Sequence, residues 1–269
     1  MKHSVKAVAI LALAVAVGSP SLAQGWAKEQ VNDSPRHQEW IEVKHGDRTV
    51  ECFIVYPERP DKAPVVVVIH EIMGMSDWVM LVADELAEAG FIAIAPDFLS
   101  GMGPDGGRSD SFEGTGQRRG AVSGLDPNQI TADLNAACDY GLNIPSADGT
   151  VSVGGFCWGG RQTFRFATNR ADLKAAYVFY GSGPTAAGDT ARIKCPVYGF
   201  YGGNDNRVNA TIAGSEAMMK AAGKTYVPVI YEGAGHGFMR SGQQPGAQAA
   251  NAKGRESGWK RWLGLLRGG

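Results

Sequence analysis

Residues 150–160 read TVSVGGFCWGG, with Arg161 immediately after. The β-branched run at 150–153 predicts a strand, and the G-x-C-x-G spacing at 155–159 predicts a tight turn from that strand into a helix. Such a turn needs glycine two residues before and two after its apex, because a Cβ at either place would meet the neighbouring strand or the start of the helix. Cys157 is therefore presented to a ligand at the apex. The helix that follows aims its unpaired N–H groups and positive dipole end at the sulfur, which favours the thiolate. A glycine-rich turn could also hold a buried, inert cysteine, so the remainder of the chain has to decide.

Working outward, apolar runs alternate with helical patterns. Residues 39–44 and 48–56 flank His45-Gly46-Asp47 as a hairpin, and 57–64, with three prolines, reads as a loop. The run VVVVI at 65–69 has no polar alternation, as expected of a parallel strand covered on both faces. Residues 77–89 have helical spacing and stop at Gly90, and 91–95 is a second buried strand. Asp126 and Pro127 open a helix as cap and first position, with Gln129 placed to reach back. After the cysteine turn come a helix to about 170, strands at 175–180, 196–201 and 226–231, and helices at 211–222 and 247–266. Residues 24–36 are polar and are expected to fray. This alternation predicts an α/β fold with a mostly parallel central sheet and helices on both faces, whose ligands sit at the carboxyl ends of the strands.

The chemically informative residues fall at those ends. GGND at 202–205 follows one strand and GAGHGF at 233–238 follows the next. Cysteine, then acid, then histidine, each on a loop after its own strand, is the chain order of the α/β-hydrolase triad. The chemistry needs a nucleophile, Cys157, an imidazole to manage its proton, His236, and a carboxylate to hold the imidazole tautomer, Asp205. The loop after the first long apolar strand, HEIMG at 70–74, supplies one backbone donor of an oxyanion hole and the residue after the nucleophile supplies the other, which selects Ile72 and Trp158. His70 and Glu71 as metal ligands are disfavoured, since adjacent residues on extended backbone point to opposite faces.

Composition bounds the rest. The 269-residue chain carries a net charge of −1 without a basic cluster, so no nucleic-acid partner is expected. Residues 1–23 combine Lys2 and Lys6, an apolar run at 7–17 and a small-x-small end at Ser21-Leu22-Ala23. That is the pattern of a cleaved export signal, leaving a single mature domain at 24–269 in the periplasm or medium with no membrane anchor. Four cysteines fit neither a disulfide framework nor a paired metal site, and if Cys157 is free at least one other is unpaired within the chain.

With these residues in place the mature sequence resembles the dienelactone hydrolase family along nearly all its length. The marks are His70-Glu71-Ile72 with Gly74, Ala95-Pro96-Asp97, the Gly155–Gly160 turn with Cys157, Gly203-Asn204-Asp205, and Gly235-His236-Gly237-Phe238 with Arg240. The resemblance implies that Glu71 interacts with the resting cysteine and helps convert it to thiolate when substrate binds. It also implies that Arg240 binds a substrate carboxylate, with a second arginine, Arg118 or Arg119, before the capped helix. Two features depart from the pattern: the export signal, and the glycine-rich stretch 100–124.

The expected protein is a monomeric, cofactor-free hydrolase of a small-molecule ester or lactone, acting through a cysteine thioester. A general carboxylesterase or thioesterase of the same fold is the nearest alternative. A catalytically silent exported binding protein is the alternative of another class.

Overall fold

The computed structural model describes residues 25–268. The export signal expected at 1–23, and the start of the mature chain at Gln24, lie outside the described residues.

In chain order the elements are α1 (Gly25–Asn32), β1 (Gln38–His45), β2 (Arg48–Val55), β3 (Ala63–Ile69), α2 (Asp77–Glu88), β4 (Ile92–Pro96), α3 (Thr115–Ser123), α4 (Pro127–Leu142) and β5 (Ala147–Phe156). There follow α5 (Trp158–Ala167), β6 (Ala176–Phe179), α6 (Ala187–Thr190), β7 (Val197–Gly202), α7 (Asn206–Asn209), α8 (Ile212–Ala221), β8 (Tyr226–Tyr231), α9 (Phe238–Ser241) and α10 (Ala249–Gly268). The strands form one sheet of order β1-β2-β4-β3-β5-β6-β7-β8. β3 to β8 run parallel, whereas β1 and β2 pair antiparallel with each other and β2 with β4. This is the mostly parallel, helix-covered sheet the alternating pattern predicts.

The apolar run of β3 shows why the sheet is buried on both sides. Val65, Val67 and Ile69 join the core against α4, α5 and α8, with Ile130, Leu134, Phe164 and Met219. Val66 and Val68 face the other way, into the core against α1, α2 and α10 with Ala27, Trp78, Leu81 and Trp262. Trp262 lies flat enough on β5 that a Cβ at Gly154 would be 2.7 Å from its ring, so glycine there lets α10 dock.

Boundaries follow local chemistry. Ser76 caps α2 by accepting from the Val79 N–H, and Gly90, at φ 100°, ends it. Asp126 caps α4 through the Asn128 N–H at 2.8 Å. The hairpin turns at Gly46-Asp47, with His45 opposite Arg48. The expectation that residues 24–36 fray is corrected: α1 buries Ala27 and Val31, one helical turn apart, against α2. Among the described residues no helix is long and apolar enough to cross a membrane. Cys52, Cys138, Cys157 and Cys195 are all free, so no disulfide joins them.

Candidate active site

β5 ends at Phe156 and α5 begins at Trp158, which leaves Cys157 alone on the turn at φ 56°, ψ −112°. Only a tightly held backbone keeps a non-glycine residue there. The flanking glycines explain the hold. A Cβ on Gly159 would stand 2.5 Å from the Ile69 carbonyl oxygen and closer still to that of His70. One on Gly160 would stand 2.5 Å from the Phe179 carbonyl oxygen, and one on Gly155 would strike the Gly159 carbonyl. The first turn of α5 is thus wedged between the ends of β3 and β6, and the sulfur is left at the carboxyl edge of the sheet.

Two further loops converge on it. Gly202 ends β7 against the carbonyls of Ala234 and Gly235, where a Cβ would come within 2.7 Å and 2.6 Å. The Gly203 N–H donates to Tyr231 O at 2.8 Å and the Asn204 N–H to Ala234 O at 2.9 Å, so the acid-bearing and histidine-bearing loops are laced together. Asp205 divides its carboxylate: Oδ1 accepts from the Val208 N–H at 3.4 Å and Oδ2 from His236 Nδ1 at 2.5 Å. His236 Nε2 lies 3.1 Å from Cys157 Sγ. With Nδ1 held by a carboxylate that can only accept, Nε2 is the nitrogen that shares a proton with sulfur. The hydrogen bond to Cys157 raises the His236 pKa to about 9, burial opposes the rise, and Asp205 adds to it. The structure therefore brings Cys157, His236 and Asp205 together in hydrogen-bonding sequence.

Glu71 and Arg240 meet beside this row. Glu71 is only 6 % exposed, and its Oε2 accepts from Arg240 Nε at 2.7 Å. The charge of Glu71 raises the Arg240 pKa above its ordinary value. The resemblance leads one to expect Glu71 on the resting cysteine. Here the carboxylate is taken by the guanidinium, a stronger partner than a thiol, while Cys157 is engaged by His236. Arg119 faces solvent and Arg118 is half-buried on α3. Neither is in hydrogen-bond or ion-pair contact with Cys157, His236, Glu71 or Arg240 among the described residues.

The Glu71 carbonyl accepts from the Gly74 N–H at 3.1 Å, closing a turn that carries Ile72, and Gly74 has φ 74°. Trp158 begins α5, so its N–H has no partner within the helix. His70 and Glu71 point apart, as expected: His70 is buried beneath Trp158 and Phe98, while Glu71 turns to Arg240. The other three thiols are buried. Burial pushes Cys52 and Cys138 up, the latter to about 12, and Cys195 to about 11.

Sequence reasoning missed Tyr180. It follows β6 at φ 39°, is 1 % exposed, and packs its ring edge-on against His236 with centroids 5.1 Å apart. A tyrosine ending an apolar strand reads as core, and nothing local shows that the strand delivers it under the imidazole.

The sequence model of the dienelactone hydrolase family matches residues 50–268. A protein of Methylorubrum extorquens provisionally named carboxymethylenebutenolidase is 30% identical over 235 residues, 82% of this chain and 77% of its own. One of Escherichia coli K12 with the same provisional name is 30% identical over 222 residues, covering 77% and 79%. Among solved structures, a provisionally named dienelactone hydrolase of Klebsiella pneumoniae subsp. pneumoniae superposes with a TM-score of 0.75 at 23% identity, over 87% of this chain and 99% of its own. At that identity the superposition speaks for the α/β-hydrolase fold alone. The family match and the two relatives go further, and by them the chain belongs to the dienelactone hydrolase family.

Proposed function

We propose that the protein hydrolyses a carboxylic ester or lactone through a thioester on Cys157, and that it prefers substrates bearing a second, free carboxylate. The observation that carries the mechanism is the unbroken row Cys157 Sγ, His236 and Asp205, at 3.1 Å and 2.5 Å, on a backbone that glycines fix. With the His236 pKa near 9, the imidazole holds a proton at neutral pH and the sulfur accepts from it. Sulfur attacks the carbonyl carbon, and the oxyanion is received by the Ile72 and Trp158 N–H groups. Collapse breaks the ester C–O bond, and the imidazolium protonates the departing oxygen; in a lactone that oxygen stays tethered and the ring opens. Neutral His236 then takes a proton from water, which attacks the thioester, and the thiolate–imidazolium pair is restored as the acid leaves.

By the family resemblance Arg240, together with Arg118 or Arg119, supplies the carboxylate-binding groups. By the same resemblance, a substrate carboxylate takes Arg240 from Glu71, whose Oε2 the guanidinium otherwise holds at 2.7 Å. Export to the periplasm or medium through residues 1–23, and action as a monomer without a cofactor, complete the reading. A general esterase or thioesterase would share the row but show no preference for the anionic substrate, and a silent binding protein would show no turnover.

Activity against paired neutral and carboxylate-bearing aryl esters tests the proposal. Cys157→Ala should abolish turnover of both while the fold persists, because the half-buried side chain stands on a turn at the edge of the core and alanine keeps its Cβ there. His236→Ala should lose orders of magnitude, and the double variant should lose no more than Cys157→Ala alone. Unchanged turnover in Cys157→Ala would refute the mechanism.

A further inference from the structure

We infer that His70 is a positioning residue for the oxyanion hole: its imidazole clamps the peptide that carries the Ile72 N–H and seats the indole of Trp158. The inference rests on the assignment of Ile72 and Trp158 as the oxyanion donors.

His70 Nδ1 lies 2.7 Å from the Glu71 carbonyl oxygen. A carbonyl only accepts, so the proton of this neutral ring is on Nδ1. The same oxygen accepts from the Gly74 N–H at 3.1 Å, so both of its lone-pair directions are used. The Glu71–Ile72 peptide is trans and planar, as no cis bond occurs among the described residues, and its N–H points opposite to its C=O. Fixing the carbonyl at two points fixes the direction of the Ile72 N–H. The other side of the ring stacks on Trp158, centroids 5.3 Å apart and planes at 14°, while Phe98 meets its edge at 5.1 Å. Trp158 carries the second donor on its own backbone. The His70 carbonyl meanwhile abuts Gly159 in the first turn of α5, so one residue touches both halves of the hole.

Space-filling alone does not account for the residue. His70 is fully buried and its Nε2 has no hydrogen-bond partner among the described residues. An orphaned buried nitrogen costs stability that a phenylalanine of similar shape would not incur. The phenylalanine would lack the Nδ1 donor. Burial also lowers the imidazole pKa, which keeps the ring in the one-proton form the clamp requires.

The test compares His70→Phe, which keeps a stacking ring without the donor, with His70→Asn, whose amide nitrogen stands the same number of bonds from the backbone as Nδ1. Two reactions at Cys157 separate the roles: alkylation by iodoacetamide, which forms no oxyanion, and acylation by p-nitrophenyl acetate, which does. In His70→Phe, alkylation should stay within about twofold of wild type while acylation and kcat fall about 10- to 100-fold, less than the loss from deleting an oxyanion donor because the N–H is displaced and not removed. KM should hardly change, and His70→Asn should recover most of the rate. Acylation of His70→Phe at the wild-type rate would overturn the inference. So would equal slowing of His70→Phe and His70→Asn, which would assign the effect to packing, or a parallel loss of alkylation, which would place His70 in support of the nucleophile. Should His70→Phe not fold, His70→Asn against His70→Gln decides: a fast Asn and slow Gln variant supports the clamp, and equal rates contradict it. Ester turnover by wild-type protein after complete alkylation of Cys157 would remove the reading beneath it.

Discussion

Arg240→Ala, Glu71→Gln and the double variant form a cycle whose outcome follows from the geometry. The two charges lie 2.7 Å apart between Glu71 Oε2 and Arg240 Nε, with side chains 8% and 34% exposed. At an effective dielectric of about 20 such a pair attracts by roughly 6 kcal/mol, against which stands the several kcal/mol needed to take a carboxylate as buried as Glu71 out of water. Arg240 keeps a third of its surface wet, which screens the pair further. The net coupling should be about 1.5 to 3 kcal/mol, the usual range for a hydrogen bond between charged groups. Urea unfolding of the four proteins at one pH measures it. Each single variant should be less stable than the double variant requires by addition, because each leaves a partly buried charge without its partner. The same Arg240→Ala protein should lose about 1.5 to 3 kcal/mol in kcat/KM for a carboxylate-bearing ester and little for a neutral aryl ester. Coupling below about 0.5 kcal/mol would mean a solvent-screened contact that holds Glu71 nowhere. Equal losses on both esters would mean that Arg240 serves the His236 loop, and the preference for an anionic substrate would have to be abandoned.

Gly159→Ala puts a Cβ against two backbone oxygens that no rotamer change can move. It should cost about 1–3 kcal/mol in urea unfolding and lower kcat, whereas Gly120→Ala, a helical site with open space, should be neutral or stabilising by up to about 1 kcal/mol. For His236, whose folded pKa is raised from 6.5 to about 9, the ion pair stabilises the fold fully below 6.5 and is lost as pH rises through 9. The Tm gap between wild type and His236→Gln should therefore be widest near the lower value and close above the upper one; a gap that widens with pH would contradict the assignment of the proton to the imidazole. N-terminal sequencing of the exported fraction should begin at Gln24, and a full-length product retained inside the cell would overturn the export reading.

Much of the fold was legible because its signals are local. An unbroken apolar run marks a strand covered on both faces, and a glycine pair around a cysteine marks a turn that a Cβ would break; the structure bears out both at 65–69 and 155–159. The convergence of Cys157, Asp205 and His236 was legible through order alone, since parallel strands deliver successive loops to one edge. What depends on pairing across the chain was not. Nothing near Glu71 shows that its carboxylate will meet Arg240, 169 positions away, nor that Tyr180 will lie under the imidazole. The first helix was missed for a different reason: eight residues with only Ala27 and Val31 buried make too short a stripe for periodicity to register, and tertiary contact with α2 decides it. The stretch 100–124 carries turns and the short α3 set by glycines, where no repeating pattern exists to read.

Intact-protein mass spectrometry of the wild-type chain, quenched within the first turnover of p-nitrophenyl acetate, tests the cysteine mechanism most directly. The account predicts one added acetyl group, mapped by peptide digestion to Cys157, appearing with a burst of nitrophenol and absent from Cys157→Ala. Hydrolysis that proceeds with no acylated Cys157 at any quench time, or an acetyl group carried on another residue, would contradict it.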